Sequence, residues 1–416
     1  MSKKTIAVVG AGASGLMSAI CAARRCTELG KQVDIVLFEK NPRPGKKLLA
    51  TGNGRCNLTN TDETRAAYHT GAPEAAAAVL NAFPVREILR FFAQIGLETV
   101  QNGTLVYPRS MQAASVLDVL RFEATRRGVT IQPDSEITDV RRAGKGFQLT
   151  AKGGNTYTAA AVILASGSAA GGGSDSGIVL LKRLGHTVLP PYPALTPLKC
   201  DTTYIKTAAG MRASAQVRLE IDGASMHSEY GEVLFTDYGL SGIAVMQLSG
   251  EAARLFSSGG RHEINVVLDL APEYDFPALY ALLQRRRTIF AEQPLEQLLC
   301  GFLNKRVAMA ATKAANIGPL SAAVSTLTDK QLKTLAALLK AWRIPVTGVK
   351  GTPSAQVMGG GAALNEFDPH TLQSSRLHGL FACGEALDVY GDCGGYNLTW
   401  AWASGYVAGH GAADMV

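Results

Sequence analysis

The chain has little that would build a disulfide framework, a metal centre or a membrane span. Its seven cysteines form no Cys-x-x-Cys pair and no zinc-ligand spacing, so we expect reduced thiols and no metal. No apolar run approaches the roughly 20 residues that a helix needs to cross a bilayer. With 47% hydrophobic and 18% charged residues, the composition predicts a globular protein without membrane association.

Targeting and charge signals are also weak. The first strand begins within a few residues of Met1, which leaves no room for a signal peptide and predicts a cytoplasmic location. The formal net charge is +7, but the basic residues are scattered and form no nucleic-acid-binding arm. The sequence therefore disfavours a nucleic-acid partner, and it does not determine an oligomeric state.

The first 30 residues have the pattern of a dinucleotide-binding unit. The segment 6–9 is a short apolar strand, 10–15 has the spacing Gly-x-Gly-x-x-Gly, and 14–29 is a predicted helix. Gly12 removes a side chain that would block a pyrophosphate, and the free N–H groups of the helix face that anion. The predicted contacts are Gly10, Gly12, Ala13, Ser14 and Gly15.

An acidic residue follows the next predicted strand, as this kind of site requires. Residues 32–38 form that strand, and Glu39 at its end can accept hydrogen bonds from the hydroxyls of an adenosine ribose. A carboxylate at this place disfavours a 2′-phosphate. The combination of strand, turn, helix, strand and acid therefore predicts NAD or FAD.

An irregular basic segment continues from residue 40 to residue 60. Its prolines and glycines disfavour regular structure, its basic side chains can neutralise phosphates, and its amides and backbone N–H groups can bind a polar heterocycle. The alternative is a basic surface loop. The predicted cofactor contacts here are Lys40, Lys46, Lys47, Thr51, Gly52, Gly54, Arg55, Cys56 and Asn57.

Five segments carry a resemblance to a known family: 45–60, 106–110, 231–242, 384–388 and 391–398. Over nearly its whole length the chain resembles the bacterial FAD-binding proteins of the BaiN/YhiN-like, or aminoacetone oxidase, family. The resemblance implies an FAD cofactor and an α/β fold, with a Rossmann-like FAD-binding domain of the two-dinucleotide-binding flavoprotein type. Most members of that family have no firmly established substrate.

The resemblance also implies roles for residues outside the N-terminal pattern. Ile137 is expected beside the adenine, Ser166 and Gly167 in a second turn that touches the cofactor, and Glu385 near the ribityl chain. A helix preceded by two glycines is suited to an anion, and the resemblance directs the helix that follows residue 397 at the N1/O2 edge of the isoalloxazine. The further implied contacts are Gly384, Asp388, Gly394, Gly395, Tyr396 and Asn397.

Changes in pattern divide the chain into four parts. Residues 1–190 form the first part of the FAD-binding domain, and closely spaced prolines follow. Short alternating stretches in 191–274 predict an inserted β-barrel or sandwich, and helical periodicity in 275–345 predicts a helical subdomain. Residues 346–416 return to the FAD-binding domain. Within the first part, helices are predicted over 75–95 and 110–127, the second beginning at Ser110 or close by, where the Ser110 hydroxyl could cap free N–H groups.

No catalytic residue is identified. Each of the seven histidines is predicted to be a surface residue, and a single cysteine in the loop disfavours a disulfide relay. Residues 191–354 hold no second Gly-x-Gly-x-x-Gly, so either NAD(P)H is a transient electron donor at a non-standard surface, or the substrate supplies electrons that leave to O₂.

The leading hypothesis is an FAD-dependent oxidoreductase, an NAD(P)H-linked reductase or an oxidase, that acts on a small organic substrate. A flavin-dependent RNA-modifying protein is an alternative, motivated by the net charge of +7 and by Arg285–Arg287. A non-enzymatic FAD-binding protein is the third.

Overall fold

The computed structural model describes residues 3–416 and contains two compact units. One unit holds the chain up to Pro191 together with Val357–Val416, and the other is Tyr192–Gln356. Each unit has its own buried apolar core.

The described residues form helices and strands with the following bounds. The helices are α1 (Ala13–Glu28), α2 (Lys46–Ala50), α3 (Pro73–Ala82), α4 (Val85–Gln94), α5 (Ala113–Arg126), α6 (Ser176–Arg183), α7 (Ile243–Ser258), α8 (Phe276–Ile289), α9 (Lys305–Ala314), α10 (Asp329–Lys340) and α11 (Tyr396–Met415). The strands are β1 (Lys4–Val9), β2 (Val33–Phe38), β3 (Thr59–Asn60), β4 (Tyr68–His69), β5 (Thr99–Asn102), β6 (Leu105–Pro108), β7 (Thr130–Gln132), β8 (Ile137–Ala143), β9 (Gly146–Ala151), β10 (Thr156–Ala159), β11 (Ala161–Leu164), β12 (Val188–Ala194), β13 (Leu198–Cys200), β14 (Arg212–Ile221), β15 (Ala224–Phe235), β16 (Gly239–Ser241), β17 (Ile264–Asp269), β18 (Trp342–Val349), β19 (Val357–Ala362), β20 (Leu380–Ala382) and β21 (Tyr390–Gly391).

A parallel sheet of five strands, in the order β20-β11-β1-β2-β7, forms the centre of the first unit. β1 pairs with β11 and with β2, and Val9 lies opposite both Leu164 and Phe38. The strands are short and apolar because a parallel sheet is covered on both faces. Parallel neighbours need a crossover, which α1 supplies between β1 and β2. All five strands therefore end at the same edge, and the predicted α/β class is confirmed.

α1 and α11 pack with their backbones in direct contact. A Cβ added to Gly405 would lie 2.6 Å from the Ser14 carbonyl oxygen, and one added to Gly409 would lie 2.4 Å from that of Ser18. Moving four residues forward along α11, from Gly405 to Gly409, also moves the contact four residues forward along α1, from Ser14 to Ser18. The helices are therefore parallel, and their N-termini point the same way. Since Gly405 faces Ser14, α11 begins eight residues, or about 12 Å, before α1 begins.

Two predicted helices of the first unit have different bounds in the structure. The predicted helix over 75–95 is two helices, α3 and α4, because Pro84 interrupts the backbone hydrogen bonds and becomes the N-cap of α4. α5 begins at Ala113, with Gln112 as its N-cap. Ser110 does not cap it, because the Ser110 hydroxyl donates to the Ser115 hydroxyl at 2.8 Å.

The second unit contains a closed barrel with the strand order β13-β16-β15-β14-β17-β18. The predicted barrel or sandwich is therefore a barrel. Helices α8, α9 and α10 contribute their apolar side chains to the same core as the barrel strands. The helical subdomain was predicted to end at residue 345, but the last barrel strand, β18, already begins at Trp342.

A buried cluster of a histidine, a carboxylate and a hydroxyl joins the chain after α6 to the chain before β20. His186 Nδ1 lies 2.9 Å from Glu366 Oε2, and its Nε2 lies 3.0 Å from Ser374 Oγ. This arrangement resembles a hydrolase triad, but the His186 side chain is 0% exposed and the Ser374 oxygen already accepts the backbone N–H groups of Arg376 and Leu377. The cluster therefore stabilises the fold rather than binding a substrate.

Because α1 and α11 pack so closely, replacing Gly409 by alanine should destabilise the protein, although this change inside a helix usually stabilises it. Replacing glycine by alanine inside a helix normally stabilises it by about 0.5–1 kcal/mol, but at Gly409 the new methyl group meets the Ser18 oxygen. We expect Gly409→Ala to lower the free energy of unfolding by about 1–3 kcal/mol, as overpacking does. Urea denaturation followed by tryptophan fluorescence measures this. Ala93→Gly, on an exposed position of α4, is the control for intrinsic helix propensity. A Gly409→Ala protein as stable as the parent would show that the helices are not in backbone contact.

The buried cluster predicts that acid destabilises the fold. Burial lowers the pKa of His186, so the unfolded chain binds a proton more readily than the folded chain. The stability that neutral His186 contributes is fully present above the ordinary histidine pKa. It is lost as the pH falls through the lower pKa that His186 has in the folded chain. The Arg376 guanidinium lowers the pKa of Glu366, which adds a further loss at lower pH.

The matching experiment compares unfolding free energies at pH 7 and pH 5. We expect His186→Gln, which cannot titrate, to lose less stability than the parent over this interval. Equal losses in the two proteins would contradict this account.

Candidate functional site

Three turns meet at the edge of the sheet where the parallel strands end. Residues 10–15 follow β1, Ser166 and Gly167 follow β11, and Gly384 follows β20 with Glu385. A Cβ on Gly10 would lie 2.6 Å from the Ala165 oxygen, and one on Gly384 would lie 2.4 Å from Ser14 Oγ. The turns are thus in direct contact, at the edge where open α/β sheets bind ligands.

The N-terminus of α1 is open to an anion. Gly10 has a φ of +103°, which lets the chain reverse. Gly12 is the N-cap residue and makes no side-chain capping bond, and nothing lies within 4 Å of a Cβ added to it. The first turn of the helix contains no acidic residue. Its N–H groups and the space beside them can therefore receive a phosphate.

Glu39 is buried and connects this turn to the end of β2. Its Oε2 accepts a hydrogen bond from the Ala11 N–H at 3.0 Å, and its Oε1 accepts from the backbone and side chain of Asn41. A carboxylate oxygen accepts two hydrogen bonds, so Oε2 retains capacity for a ribose hydroxyl. The carboxylate also positions the glycine turn, which the sequence pattern did not predict.

The basic loop approaches the turn that follows β20. Lys47 Nζ forms an ion pair with Glu385 Oε2, and Ser168 Oγ donates to the same oxygen at 3.1 Å. Gly45 has a φ of +76° and packs so closely that a Cβ would lie 2.4 Å from Leu117. The structure thus brings the predicted phosphate-binding lysine and the predicted ribityl-binding acid together.

The same loop contacts the N-terminus of α11. Gly395 is the N-cap residue with a φ of +99°, and a Cβ there would lie 2.7 Å from the Thr59 carbonyl carbon and 3.0 Å from Asn57 Oδ1. Asn60 Nδ2 donates to the Gly394 oxygen at 2.9 Å. The two glycines therefore allow the helix to begin directly against the loop.

Two tryptophans of α11 hold the loop and a strand-end turn in place. The Trp402 indole N–H donates to the Leu58 oxygen at 2.9 Å, and the Trp400 indole N–H donates to the Gly384 oxygen at 3.1 Å. Both rings are almost fully buried. The helix thus serves as the common support of both segments.

Buried polar atoms without partners border this edge. Among the described residues, four such side-chain atoms occur, and three of them belong to Asn57, Ser166 and Gln132. Asn57 faces Gly395, Ser166 follows β11, and Gln132 ends β7, where its carbonyl oxygen accepts the Glu39 N–H. Each unpaired buried group costs about 1–3 kcal/mol. A large ligand rich in donors and acceptors, such as FAD, would satisfy them, so the residues fit this cofactor.

Gln132 was not among the residues predicted from the sequence. Its position as the last residue of a strand in the central sheet is a signal that could have identified it, once the strand order was known.

Three predicted contacts have their polar groups engaged within the fold. Thr51 Oγ1 donates to the Leu48 oxygen at 2.6 Å, and Asp388 Oδ2 accepts the Gly71 N–H at 3.0 Å. The Asn397 amide closes the preceding turn, with Oδ1 2.7 Å from the Gly391 nitrogen and Nδ2 2.6 Å from its oxygen. These side chains shape the site, and a ligand would compete with these bonds.

Two further predicted contacts are apolar or shielded. Cys56 is buried, and burial raises the pKa of its thiol to about 11, so it is held as a thiol rather than a reactive thiolate. Ile137 is buried at the start of β8, two residues after Ser135, whose N–H donates to the Glu39 oxygen.

The remaining predicted contacts lie at the surface or beside a ring. Tyr396 is buried, with its ring edge-on to Tyr68 at 5.7 Å. Besides Lys47, the exposed predicted residues are Lys40, Lys46, Gly52, Gly54 and Arg55.

A histidine and a carboxylate lie next to the turn before α11. β4 pairs with β21, which brings His69 Nε2 to 2.7 Å from Asp392 Oδ1, and the His69 ring stacks on Tyr390 at 4.6 Å. The sequence predicted His69 only as a surface residue, and its side chain is 42% exposed. The two partners are 323 positions apart, so no local pattern could have paired them.

Residues 3–416 contain neither a cluster of metal ligands nor a helix suited to span a membrane. No group of three or more histidine, cysteine, aspartate or glutamate side chains is arranged to hold a metal ion. None of the described helices has the length and apolar character needed to span a bilayer.

The chain is similar to known proteins over nearly its whole length. Residues 4–411 match the family model described as the HI0933-like protein Rossmann domain. The 3-dehydro-bile acid delta(4,6)-reductase of Clostridium scindens is 37% identical over 98% of this chain and 99% of its own length. The ribosomal RNA dihydrouridine synthase of Escherichia coli is 29% identical over 98% of this chain and 97% of its own length.

A solved structure is similar at the level of the fold. The 3-ketosteroid delta1-dehydrogenase of Sterolibacterium denitrificans aligns with a TM-score of 0.52 and 12% identity, covering 99% of this chain and 100% of that one. Together with the family match, this likeness confirms the Rossmann fold and the resemblance seen in the sequence. The chain belongs to the HI0933-like Rossmann family.

Proposed function

We propose that this FAD-dependent oxidoreductase reduces a carbon–carbon double bond conjugated to a carbonyl group in a small polycyclic substrate. The name of the relative at 37% identity describes the reduction of a conjugated 3-oxo bile acid. The name of the relative at 29% identity describes the reduction of the uridine ring double bond, which is also conjugated to a carbonyl. Reduction of such a polarised double bond is common to both names, and it supports this reaction class for the present chain.

One structural observation carries the cofactor part of the proposal. The N-termini of two parallel helices point the same way, about 12 Å apart along their axes, with three unpaired polar atoms around them. One positive helix end suits a pyrophosphate and the other suits an electron-rich ring edge. FAD carries both groups in one molecule, and when bound it supplies two electrons as a hydride.

Different residues of the chain are assigned to different parts of the cofactor. We assign the pyrophosphate to the N-terminus of α1 at Gly12, the ribose to Glu39, and the ring edge to Asn57 and the N-terminus of α11 at Gly395. Negative charge gained on reduction would lie at that helix end, which favours the reduced state. A nicotinamide nucleotide that visits transiently is the proposed electron donor.

A second candidate is the reduction of uridine in RNA. The relative named as a ribosomal RNA dihydrouridine synthase and the net charge of +7 favour it. The scattered distribution of the basic residues and the higher identity of the bile-acid reductase favour the small substrate.

The assignment of Asn57 predicts a loss of cofactor affinity without a loss of apoprotein stability. Because Oδ1 is buried and unpaired, we expect Asn57→Ala to raise the FAD dissociation constant about tenfold, the effect of one hydrogen bond. The apoprotein should unfold at an unchanged or higher urea concentration. Titration of apoprotein with FAD and FMN measures the affinities, with Asn155→Ala in an exposed turn as control. Unchanged FAD affinity, or preference for FMN, would refute the assignment.

The reaction predicts which compound oxidises the reduced protein. Under anaerobic conditions, reduced holoprotein is mixed with a steroid 3-oxo-4,6-diene or with a uridine-containing ribosomal RNA fragment, and flavin absorbance and product mass are recorded. We expect rapid oxidation by the steroid, with a product that has gained two hydrogens. Oxidation by RNA alone would favour the second candidate, and oxidation by neither would refute the reaction class.

A further inference from the structure

We propose that His69, held by Asp392, donates the proton that completes the reduction. This inference rests on the proposed function, because a conjugated double bond that accepts a hydride also needs a proton. The sequence offered no acid or base for this step, and the pair appears only in the folded chain.

The location of the pair supports this role. Asp392 lies three residues before Gly395, so their Cα atoms are at most about 11 Å apart. Gly395 contacts Asn57 and Thr59, the residues that surround the proposed ring site. The His69 side chain is 42% exposed, so it can meet a substrate and exchange protons with water.

The contacts of His69 hold its ring in one orientation. Asp392 Oδ1 accepts from Nε2 at 2.7 Å, and the Tyr390 ring stacks on one face at an angle of 19°. The backbone of Asp392 is itself fixed, because its N–H donates to the Ala67 oxygen at 2.8 Å. The pair leaves the second ring nitrogen, Nδ1, for a substrate. A carboxylate that orients an imidazole and stabilises its protonated form is a recurrent device in proton transfer.

The other titratable groups near the pair are less suited to donate a proton. Burial raises the pKa of Tyr396 to about 12 and raises that of Tyr68 further. Burial also raises the pKa of Asp388, but this carboxyl accepts the Gly71 N–H and is 8% exposed. Tyr390 presents its ring face to His69. Histidine is the side chain that exchanges protons near neutral pH.

The step balances in atoms and electrons. The β-carbon of the enone would receive the hydride that FAD supplies when bound and reduced, and the π electrons would move toward the carbonyl oxygen. The α-carbon then takes a proton from Nδ1 of the His69 imidazolium. One carbon–carbon π bond is lost and two carbon–hydrogen bonds form, while the flavin is oxidised. A proton from water restores His69, and a reduced nicotinamide nucleotide restores the flavin.

The test separates proton transfer from electron transfer in the holoprotein. Wild type, His69→Gln and His262→Gln are reduced with dithionite and mixed either with the steroid dienone or with ferricyanide, which takes electrons without a proton. His262 is the control because its Nδ1 lies 2.8 Å from Asp222 Oδ2 in the other unit, which makes it the same kind of pair. We expect His69→Gln to slow oxidation by the dienone on the order of 100-fold or more and to leave oxidation by ferricyanide unchanged.

A positioning role for Asp392 gives a second readout. Because its carboxylate orients the His69 ring, Asp392→Asn should slow oxidation by the dienone and leave oxidation by ferricyanide unchanged, and Asp392→Glu should restore part of the dienone rate. In deuterium oxide, the wild-type product should carry solvent deuterium at the α-carbon, and also at the β-carbon because the N–H of reduced flavin exchanges with solvent.

The outcomes distinguish this inference from the proposed function. If wild type does not react with the dienone, the proposed function fails. If wild type reacts and His69→Gln reacts at the same rate, His69 is not the proton donor. Slow oxidation of His69→Gln by ferricyanide as well would assign His69 a structural role and would also overturn the inference.

Discussion

The backbone contact between α1 and α11 is the constraint on which the candidate site depends. Gly405 and Gly409 let the two helices approach until a single methyl group would collide with a carbonyl oxygen. Because the helices are parallel, both positive ends reach the same edge of the sheet. Larger residues at these positions would separate the helices and with them the anion-binding turn and the turn before α11.

A few buried hydrogen bonds fix the neighbouring loops and turns relative to the helix pair α1 and α11. The indole N–H groups of Trp400 and Trp402 hold the turn after β20 and the loop at Leu58. Glu39 holds the glycine turn through Ala11. These buried bonds satisfy groups that would otherwise be costly to bury, whereas side-chain oxygens of Asn57, Ser166 and Gln132 are buried without a partner.

The burial of the cysteines bears on the kind of redox chemistry. Burial raises the pKa of Cys56 to about 11 and that of Cys383 to about 12, so both are held as thiols. Thiolate attack is the first step of a dithiol relay, and these side chains are poorly suited to it. Hydride chemistry at a flavin needs no thiolate, which agrees with the reductase character of the relative at 37% identity.

The sequence by itself determined the features encoded over a few residues. The glycine spacing before α1, the acid after β2, the α/β class and the glycines before α11 all follow from local pattern, because turns and helix ends need particular residues at fixed intervals. Local pattern failed where a single residue changed the outcome, as when Pro84 divided one predicted helix into α3 and α4. Only the tertiary structure decided the pairing of Lys47 with Glu385, the burial of unpaired side-chain oxygens of Asn57 and Gln132, and the pairing of His69 with Asp392. These partners lie on different elements, and their contacts depend on strand order and helix packing, which no spacing along the chain records.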